Sequence, residues 1–196
     1  MFMRRRSRTD VELQTERLVM RPPEMRDFEA WARLRRESRD FLAPWEPEWA
    51  RDHLTSRSFR NRVLWAERAI RHGEAYPLFL FRLKDGQIVG GLTLSNIRRH
   101  PAQAGTLGYW VGEPYAMQGY MSEALIALRA HAFTALDLSR LEAACLPDNV
   151  ASRRLLERCG FRHEGTAQAY LRIDGRWRDH VLYAALREDR QPSLED

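Results

Sequence analysis

The segment that most constrains the fold is a strand, a helix and a second strand in direct succession, between residues 105 and 146. GTLGYWVGE, at residues 105–113, is typical of a short strand, with Leu107, Tyr109 and Val111 on one face and Trp110 on the other. A long helix follows, and RLEAACL, at residues 140–146, has the composition of another strand. Because a helix carries the chain across, we expect the two strands to be parallel neighbours.

The other strand formers come in hairpins, which predicts antiparallel pairing elsewhere. YPLFLFRLKDGQIVGGLTLSNI contains two strand-like runs joined by an Asp-Gly dipeptide at residues 85–86, suited to the positive φ of a tight turn. A final hairpin is predicted to turn at a second Asp-Gly dipeptide, at residues 174–175. With a first strand at residues 16–23, we expect an α/β (α+β) fold with a mixed, largely antiparallel sheet of about seven strands.

Helical spacing of apolar residues predicts about four helices around this sheet. Residues 25–42 and 57–72 are amphipathic, the second ending at Gly73. The long helix presents an apolar stripe, and residues 147–161 are typical of a short helix capped by Asn149. The stripe consists of Ala124, Leu125, Leu128, Ala132 and Leu136.

A chain of 196 residues fits a single domain, predicted at residues 16–187 between a flexible basic start (1–15) and a polar tail (188–196). The net charge is +5, and Lys84 is the only lysine, so nearly all the cations are arginines, which bind phosphate in a planar fork. No apolar run reaches the length of a signal peptide or membrane span. We therefore expect a cytoplasmic protein without a membrane partner.

The metal-ligating side chains are scattered. Cys145 and Cys159 are the only cysteines, and the six histidines show no pairing at i, i+4. We expect two reduced core thiols and no metal site.

MQGYMSEAL, at residues 117–125, places a glycine where the long helix begins. The amides of Gln118 to Ser122 would point at an anion placed there, with the positive end of the helix dipole behind them, and a diphosphate would suit. Neither a phosphate loop with its lysine nor GxGxxG is present. Glu123 would repel such an anion, so its side chain is predicted to point away.

LGYWVGEPYAMQGYMSEAL, at residues 107–125, and NVASRRLLERCGF, at residues 149–161, together resemble the GNAT superfamily of acetyl-coenzyme A dependent N-acetyltransferases, in its ribosomal-protein alanine N-acetyltransferase (RimJ/RimL-type) branch. The order of elements agrees from about residue 16 to residue 187. The resemblance implies a GNAT acyl-CoA N-acyltransferase fold, with a sheet splayed between the fourth and fifth strands.

The resemblance also implies where acetyl-coenzyme A binds. Pantetheine would lie in the splay, bonded to the backbone of Tyr109, Trp110 and Val111 and to Asn149. The coenzyme diphosphate would lie on the loop and first turn formed by Met117, Gln118, Gly119, Tyr120, Met121 and Ser122. Asn149 could instead act as a plain helix cap, or fill both roles.

The chain departs from the superfamily pattern at three positions. Ala116 stands where an Arg or Gln is usual, which affects one phosphate contact, and Met121 where Gly or Ala is usual. Leu156 stands where many members carry the tyrosine that protonates the thiolate. The Ser152 hydroxyl is then the candidate donor to the sulfur, with a second cap bond as its alternative role.

Acetyl transfer also needs a polarised carbonyl and a neutral amine. The backbone amide of Val111 is the candidate oxyanion donor. No carboxylate lies in the strand itself, so Glu164 is the candidate base, with Glu113 and Asp179 as further possibilities. A site poor in bases favours an α-amine, whose pKa is near 7.7 to 8.0, over a lysine.

FLAPWEPEW, at residues 41–49, combines tryptophans with carboxylates, a set that suits an ammonium group or a peptide terminus. Trp45 and Trp49 are candidate acceptor-binding residues, or they close the edge of the core. Tyr170 and Arg172, on the final hairpin, could line the opposite wall.

Three functions follow from these patterns. The first is acetylation of the N-terminal α-amine of a protein, such as a ribosomal one. The second is acetylation of a small amine, amino acid or antibiotic in the same pocket. The third is a ribosome- or RNA-associated binding protein with a vestigial coenzyme site, suggested by the arginine-rich start. No specific DNA binding is expected, and the protein could be a monomer or a homodimer.

Overall fold

The computed structural model describes residues 11–188. Most of the predicted basic start (1–15) and of the polar tail (188–196) lies outside the described residues. Within residues 11–188, no helix combines the length and the apolar character needed to cross a membrane.

The chain forms eight strands and five α-helices over the described range. The strands are β1 (Leu13–Gln14), β2 (Leu18–Arg21), β3 (Tyr76–Arg82), β4 (Ile88–Arg98), β5 (Ala104–Val111), β6 (Arg140–Cys145), β7 (Arg162–Ile173) and β8 (Arg176–Leu186). The helices are α1 (Phe28–Glu37), α2 (Arg39–Leu42), α3 (Ser56–His72), α4 (Tyr120–Thr134) and α5 (Val150–Arg158).

All eight strands lie in one sheet, in the order β1-β2-β3-β4-β5-β6-β8-β7. β5 and β6 are parallel, and the other neighbours are antiparallel. The predicted crossover and the largely antiparallel mixed sheet are therefore confirmed. Both predicted Asp-Gly hairpins are present, with positive φ at Gly86 (69°) and Gly175 (74°).

Two details differ from the sequence prediction. A two-residue strand, β1, pairs with β2 and raises the strand count to eight. The single helix predicted at residues 25–42 is interrupted at Ser38, between α1 and α2. The buried Ser38 hydroxyl accepts a hydrogen bond from Glu113 N (2.9 Å), so the interruption joins the end of α1 to the chain just after β5.

The sheet is covered on both faces. One core contains Leu107, Leu141 and Leu156 together with the α4 stripe, except that Leu136 lies beyond the end of α4 at Thr134 and only packs against this core, as Tyr109 does. A smaller core on the other face joins Trp31 and Phe59 from α1 and α3. The side chains of β5 are divided between these cores, because successive residues of a strand point to opposite faces.

Candidate active site

β5 and β6 are paired over only part of their lengths. Ala104–Leu107 lie opposite Arg140–Ala143, but from Gly108 onward β5 pairs with β4 alone. The last residues of β6, Ala144 and Cys145, pair with β8 alone. The two strands therefore diverge after Leu107 and leave a wedge, the splay gap, between residues 108–111 and residues 144–145.

The strand alternation decides which backbone groups border the splay gap. Gly112 N donates to Val89 O (2.9 Å), so the alternate residue Trp110 also bonds toward β4. The amides and carbonyls of Tyr109 and Val111 then point into the splay gap. This orientation suits the predicted role of the Val111 amide as an oxyanion donor and directs the Trp110 backbone away from the gap.

The Trp110 side chain lies on the opposite face of the sheet, against β4. A Cβ atom on Gly91 would lie 2.5 Å from Trp110 Nε1, so only glycine leaves room for this indole. The indole contact explains Gly91, whereas a Cβ atom on the preceding Gly90 would lie 2.4 Å from the backbone oxygen of Trp110.

The loop before α4 has the conformation of an open helix start. Gly119 is left-handed (φ 82°), and the first helical hydrogen bond runs from Glu123 N to Gly119 O (3.1 Å). No side chain within residues 11–188 caps this end, so the amides of Tyr120, Met121 and Ser122 point out along the helix axis. Their side chains are buried, which leaves the backbone to contact a ligand.

Glu123 points away from this helix end, as predicted. Its Oε1 accepts from Thr15 Oγ1 (2.5 Å) and Arg17 N (2.8 Å), and its Oε2 accepts from Arg17 Nε (2.7 Å). Burial by itself would raise the pKa of Glu123, but these hydrogen bonds outweigh it and the pKa is lowered. The charge of the carboxylate is balanced by Arg17, in the turn between β1 and β2, so Glu123 does not compete with an anion at the helix start.

Arg17 is a site residue that the sequence patterns missed. Its Nε is held by Glu123 and its Nη1 donates to Gln118 O (3.1 Å). The remaining nitrogen, Nη2, lies 3.2 Å from where a Cβ on Gly119 would be. A guanidinium is thus fixed beside the helix start, although Ala116 supplies no cation there. No local pattern could reveal a residue a hundred positions away.

Asn149 and Ser152 lie at the start of α5, on the β6 side of the splay gap. Asn149 Oδ1 accepts from Ser152 N (3.0 Å), which confirms the predicted cap. Within the described residues the Asn149 Nδ2 group has no hydrogen-bond acceptor, so it can donate to a ligand. A cap and a ligand contact are compatible in this geometry.

The Ser152 hydroxyl contacts both diverging strands. Its Oγ lies 2.7 Å from Tyr109 Oη of β5, and its proximity to the Cys145 thiol at the end of β6 partly offsets the effect of burial on the pKa of that thiol. Burial raises the pKa of Tyr109 above its ordinary range, and burial also raises the pKa of Cys145. Both groups therefore stay protonated near neutral pH, and Cys145 remains a thiol.

The structure does not bring Glu164 to the splay gap. Glu164 Oε1 accepts from Arg140 Nη1 (2.8 Å), and Arg140 lies opposite Ala104, about 13 Å along β5 from Gly108. The hydrogen bond from Arg140 lowers the pKa of Glu164. This position does not fit the predicted role of general base, because the carboxylate is at the wrong end of the strand and is already engaged.

Of the other two carboxylates, Asp179 is already engaged, whereas the exposed Glu113 stays a candidate base. Asp179 Oδ1 accepts from Ala169 N (2.8 Å) and holds the bulge of β7. The exposed Glu113 begins the turn after β5.

A cluster of aromatic and charged side chains links residues 43–55, the acceptor loop, to α1. Glu46 accepts from both Arg35 Nη1 (2.8 Å) and Trp49 Nε1 (2.8 Å). The Arg35 guanidinium, 5% exposed, lies over the rings of Trp49 (4.3 Å) and Trp110 (4.7 Å). Arg35 therefore fixes the acceptor loop against β5, a contact that no sequence pattern indicated.

The predicted acceptor residues divide into two groups. The Trp49 side chain contacts Arg35 and Glu46 in this cluster. The Trp45 side chain is 38% exposed and lies on the surface of the loop. The hairpin reaches the loop through Asp174 N, which donates to Glu46 O (3.2 Å), and Arg172 lines a cleft of about 290 Å³ with Pro47, Glu48 and Gly175. Arg172 and the acceptor loop are thus brought together.

Tyr170 is exposed and packs edge-on against His180 (5.7 Å between ring centroids). Its contact is with β8, and the structure does not place it in the cleft of Arg172.

The described residues contain no cluster of three or more His, Cys, Asp or Glu side chains that could hold a metal ion. The candidate chemistry of the splay gap is carried by backbone amides and hydroxyls, and Arg17 lies outside the gap, beside the start of α4.

Comparison with known proteins decides the family. The sequence profile of the acetyltransferase (GNAT) domain matches residues 17–162. This chain is a GNAT acetyltransferase. The GNAT fold accounts for the splayed mixed sheet, and the enzyme class is acyltransferase.

Full-length relatives agree with this family. The [ribosomal protein uS5]-alanine N-acetyltransferase of Escherichia coli (strain K12) is 36% identical over 192 residues, which cover 98% of this chain and 99% of that protein.

Two solved structures of GNAT acetyltransferases share the fold. Ribosomal-protein-S5-alanine acetyltransferase from Vibrio fischeri superposes with a TM-score of 0.85 at 32% identity, covering 93% of this chain and 100% of that one. Mycobacterium smegmatis RimJ, in complex with CoA-disulfide, gives a TM-score of 0.81 at 36% identity. The match covers 86% of this chain and 81% of that one.

Proposed function

We propose that this GNAT enzyme transfers the acetyl group of acetyl-coenzyme A to the N-terminal α-amine of a ribosomal protein, one that begins with alanine. The observation that carries the proposal is the splay gap, with the uncapped start of α4 and the Arg17 guanidinium beside it. The relatives named for alanine acetylation of a ribosomal protein support the choice of acceptor. A ribosomal protein is the partner that this function requires.

The residues present fit the coenzyme. The uncapped amides of α4 and the Arg17 guanidinium are donors suited to a diphosphate. The unpaired edge of β5 offers strand-like hydrogen bonds to the amides of pantetheine, and Asn149 Nδ2 offers a further donor. The RimJ structure with CoA-disulfide supports this assignment.

Acetyl-coenzyme A supplies a thioester whose carbonyl carbon accepts the amine. The Val111 amide would stabilise the negative charge that develops on the carbonyl oxygen, since its N–H points into the splay gap. The Ser152 hydroxyl would donate to the departing sulfur from the β6 side. Neither step needs a charged side chain in the splay gap.

The acceptor amine must be neutral before it can attack. An α-amino group is roughly one tenth neutral at pH 7, whereas a lysine amine is well under a thousandth. Because Glu164 lies elsewhere, the amine would lose its proton to water, which favours an α-amine acceptor. Arg35 and Glu46 hold the wall on which the acceptor peptide would lie.

The acceptor can be tested with matched peptides. Purified protein and acetyl-coenzyme A should acetylate a peptide with a free N-terminal alanine. The same sequence with a blocked terminus and an internal lysine should be a poor substrate. Mass spectrometry locates the acetyl group. Activity confined to small amines, amino acids or antibiotics would contradict the proposal.

The diphosphate site can be tested by charge. Gly119→Glu places a carboxylate beside the helix start and should abolish coenzyme A binding in calorimetry. Gly86→Glu is the matched control, because Gly86 has a similar positive φ (69°) in an open hairpin turn. Unchanged coenzyme A affinity in Gly119→Glu would remove this assignment.

A further inference from the structure

The hydrogen bond between Tyr109 and Ser152 crosses the splay gap. Tyr109 belongs to β5 and Ser152 to α5, which follows β6, and their hydroxyl oxygens are 2.7 Å apart. Ser152 Oγ is the hydrogen-bond partner of Tyr109 Oη within the described residues. Tyr109 packs against the core with the α4 stripe, so its ring is held in place.

The direction of this hydrogen bond follows from how each hydroxyl is satisfied. The Tyr109 side chain is partly buried. A phenol largely removed from water needs an acceptor for its proton, and Ser152 Oγ is the acceptor that the structure offers Tyr109. If Ser152 donated to Tyr109 instead, the phenolic proton would be left buried without a partner, which is costly. Tyr109 therefore donates and Ser152 accepts.

This direction leaves the Ser152 proton available. A serine hydroxyl has one proton and two acceptor positions, and the proton rotates to the best acceptor. With Tyr109 donating to the oxygen, the proton can turn toward the nearby Cys145 thiol, which is neutral and at best a weak acceptor, or into the splay gap. A sulfur that gains negative charge in the splay gap is the stronger acceptor of the two.

We propose that Tyr109 is a positioning residue, which acts through Ser152 by turning the serine proton toward the sulfur that leaves during acetyl transfer. The amine nitrogen bonds to the carbonyl carbon, the carbon–sulfur bond breaks, and both electrons of that bond go to the sulfur. The nitrogen loses its proton to water, and the thiolate accepts a hydrogen bond from Ser152 before it is protonated by solvent. The proposal rests on the proposed transferase function.

The kinetic test uses single-turnover acetylation of the alanine peptide. Ser152→Ala should lower the rate constant about 10- to 100-fold, the range for losing a hydrogen bond to a charged group. Tyr109→Phe should lower it about 3- to 10-fold, with coenzyme A affinity unchanged. Tyr109→Phe should have no further effect in the Ser152→Ala background, because Tyr109 acts through Ser152.

Tyr183→Phe is the matched control. The Tyr183 hydroxyl also contacts α5, through Glu157 (2.9 Å) and Arg153 (3.3 Å), but does not touch Ser152. Its removal should leave the single-turnover rate unchanged. A Tyr109→Phe enzyme as fast as the wild type would overturn the proposal. So would a Tyr109→Phe substitution that lowers the rate constant by the same factor in the wild type and in the Ser152→Ala background.

A second measurement does not depend on any acceptor. The ultraviolet absorbance of the thiolate reports the pKa of the coenzyme A thiol bound to the protein, after subtraction of the free protein. A proton directed by Tyr109 and Ser152 should lower this pKa, and Tyr109→Phe should raise it. An identical titration in both proteins would overturn the role of Tyr109. A lowered thiol pKa with no amine acetylated would contradict the proposed function alone.

Discussion

Arg17 donates from Nε to Glu123 Oε2 at 2.7 Å, and this ion pair joins the chain before β2 to the first turn of α4. The Glu123 side chain is 2% exposed and that of Arg17 is 43% exposed, so the carboxylate anchors a guanidinium that still reaches solvent. Its Nη2, beside Gly119, is the part that can contact a phosphate. We therefore expect the arginine to take the place of the phosphate-binding side chain that Ala116 does not provide.

Arg17→Met should weaken coenzyme A binding about 10-fold, since one charge-assisted hydrogen bond is lost. Calorimetry with coenzyme A measures the effect. The variant also leaves Glu123 buried without its partner, so Arg17→Met/Glu123→Gln is the control that removes both charges. The double variant should recover thermal stability but not affinity. Wild-type affinity in the double variant would contradict the role of Arg17.

Asn149→Asp separates the two roles of Asn149. An aspartate still caps α5, so the free energy of unfolding should stay within about 0.5 kcal/mol of the wild type. It lacks the Nδ2 donor, so the Michaelis constant for acetyl-coenzyme A should rise several-fold. Chemical denaturation and steady-state kinetics measure the two quantities.

Asn149→Ala should raise the same Michaelis constant and also cost about 1 kcal/mol of stability, because the cap is lost. A normal Michaelis constant in Asn149→Asp would show that Asn149 is only a cap.

Trp45→Ala should raise the Michaelis constant for the acceptor peptide without changing that for acetyl-coenzyme A. Trp45 is exposed in the acceptor loop, so its loss should change the free energy of unfolding by less than about 0.5 kcal/mol. Trp65→Ala, at an exposed position of α3, is the matched control and should leave both constants unchanged. Equal peptide kinetics in the two variants would exclude Trp45 from acceptor binding.

His53 should make stability fall in acid. Its ring stacks on Trp49 (4.7 Å), and burial, followed by the charges of Arg35 and Arg62, lowers its pKa from 6.5 to about 4. The unfolded chain therefore binds this proton at a higher pH than the folded chain, and the free energy of unfolding decreases as the pH drops from 6.5 toward 4.

His53→Phe keeps an aromatic ring and should flatten the pH dependence of stability in this window. Thermal unfolding at a series of pH values is the measurement. Burial also lowers the pKa of His131, but that residue is present in both proteins. Parallel pH curves for the wild type and His53→Phe would contradict the prediction.

The elements that were predicted correctly have signals within a few residues. The two Asp-Gly turns, the start of the long helix at Gly119 and the Asn149 cap depend on local backbone preferences, which the amino-acid types reveal directly. The break at Ser38 was missed because a hydrogen bond to Glu113, far along the chain, competes with the continuous helical pattern.

The sequence by itself determined the order of the main strands and helices, the parallel crossover and the position of the open helix start, because periodicity and turn residues act over short distances. The short β1 and the break at Ser38 were not among these predictions. The tertiary structure decided which distant groups meet there. It placed Arg17 beside Gly119 and Tyr109 against Ser152. It also placed Glu164 against Arg140, at the start of β6 and away from the splay gap. These contacts join residues up to about a hundred positions apart, and the packing of the sheet and its helices creates them.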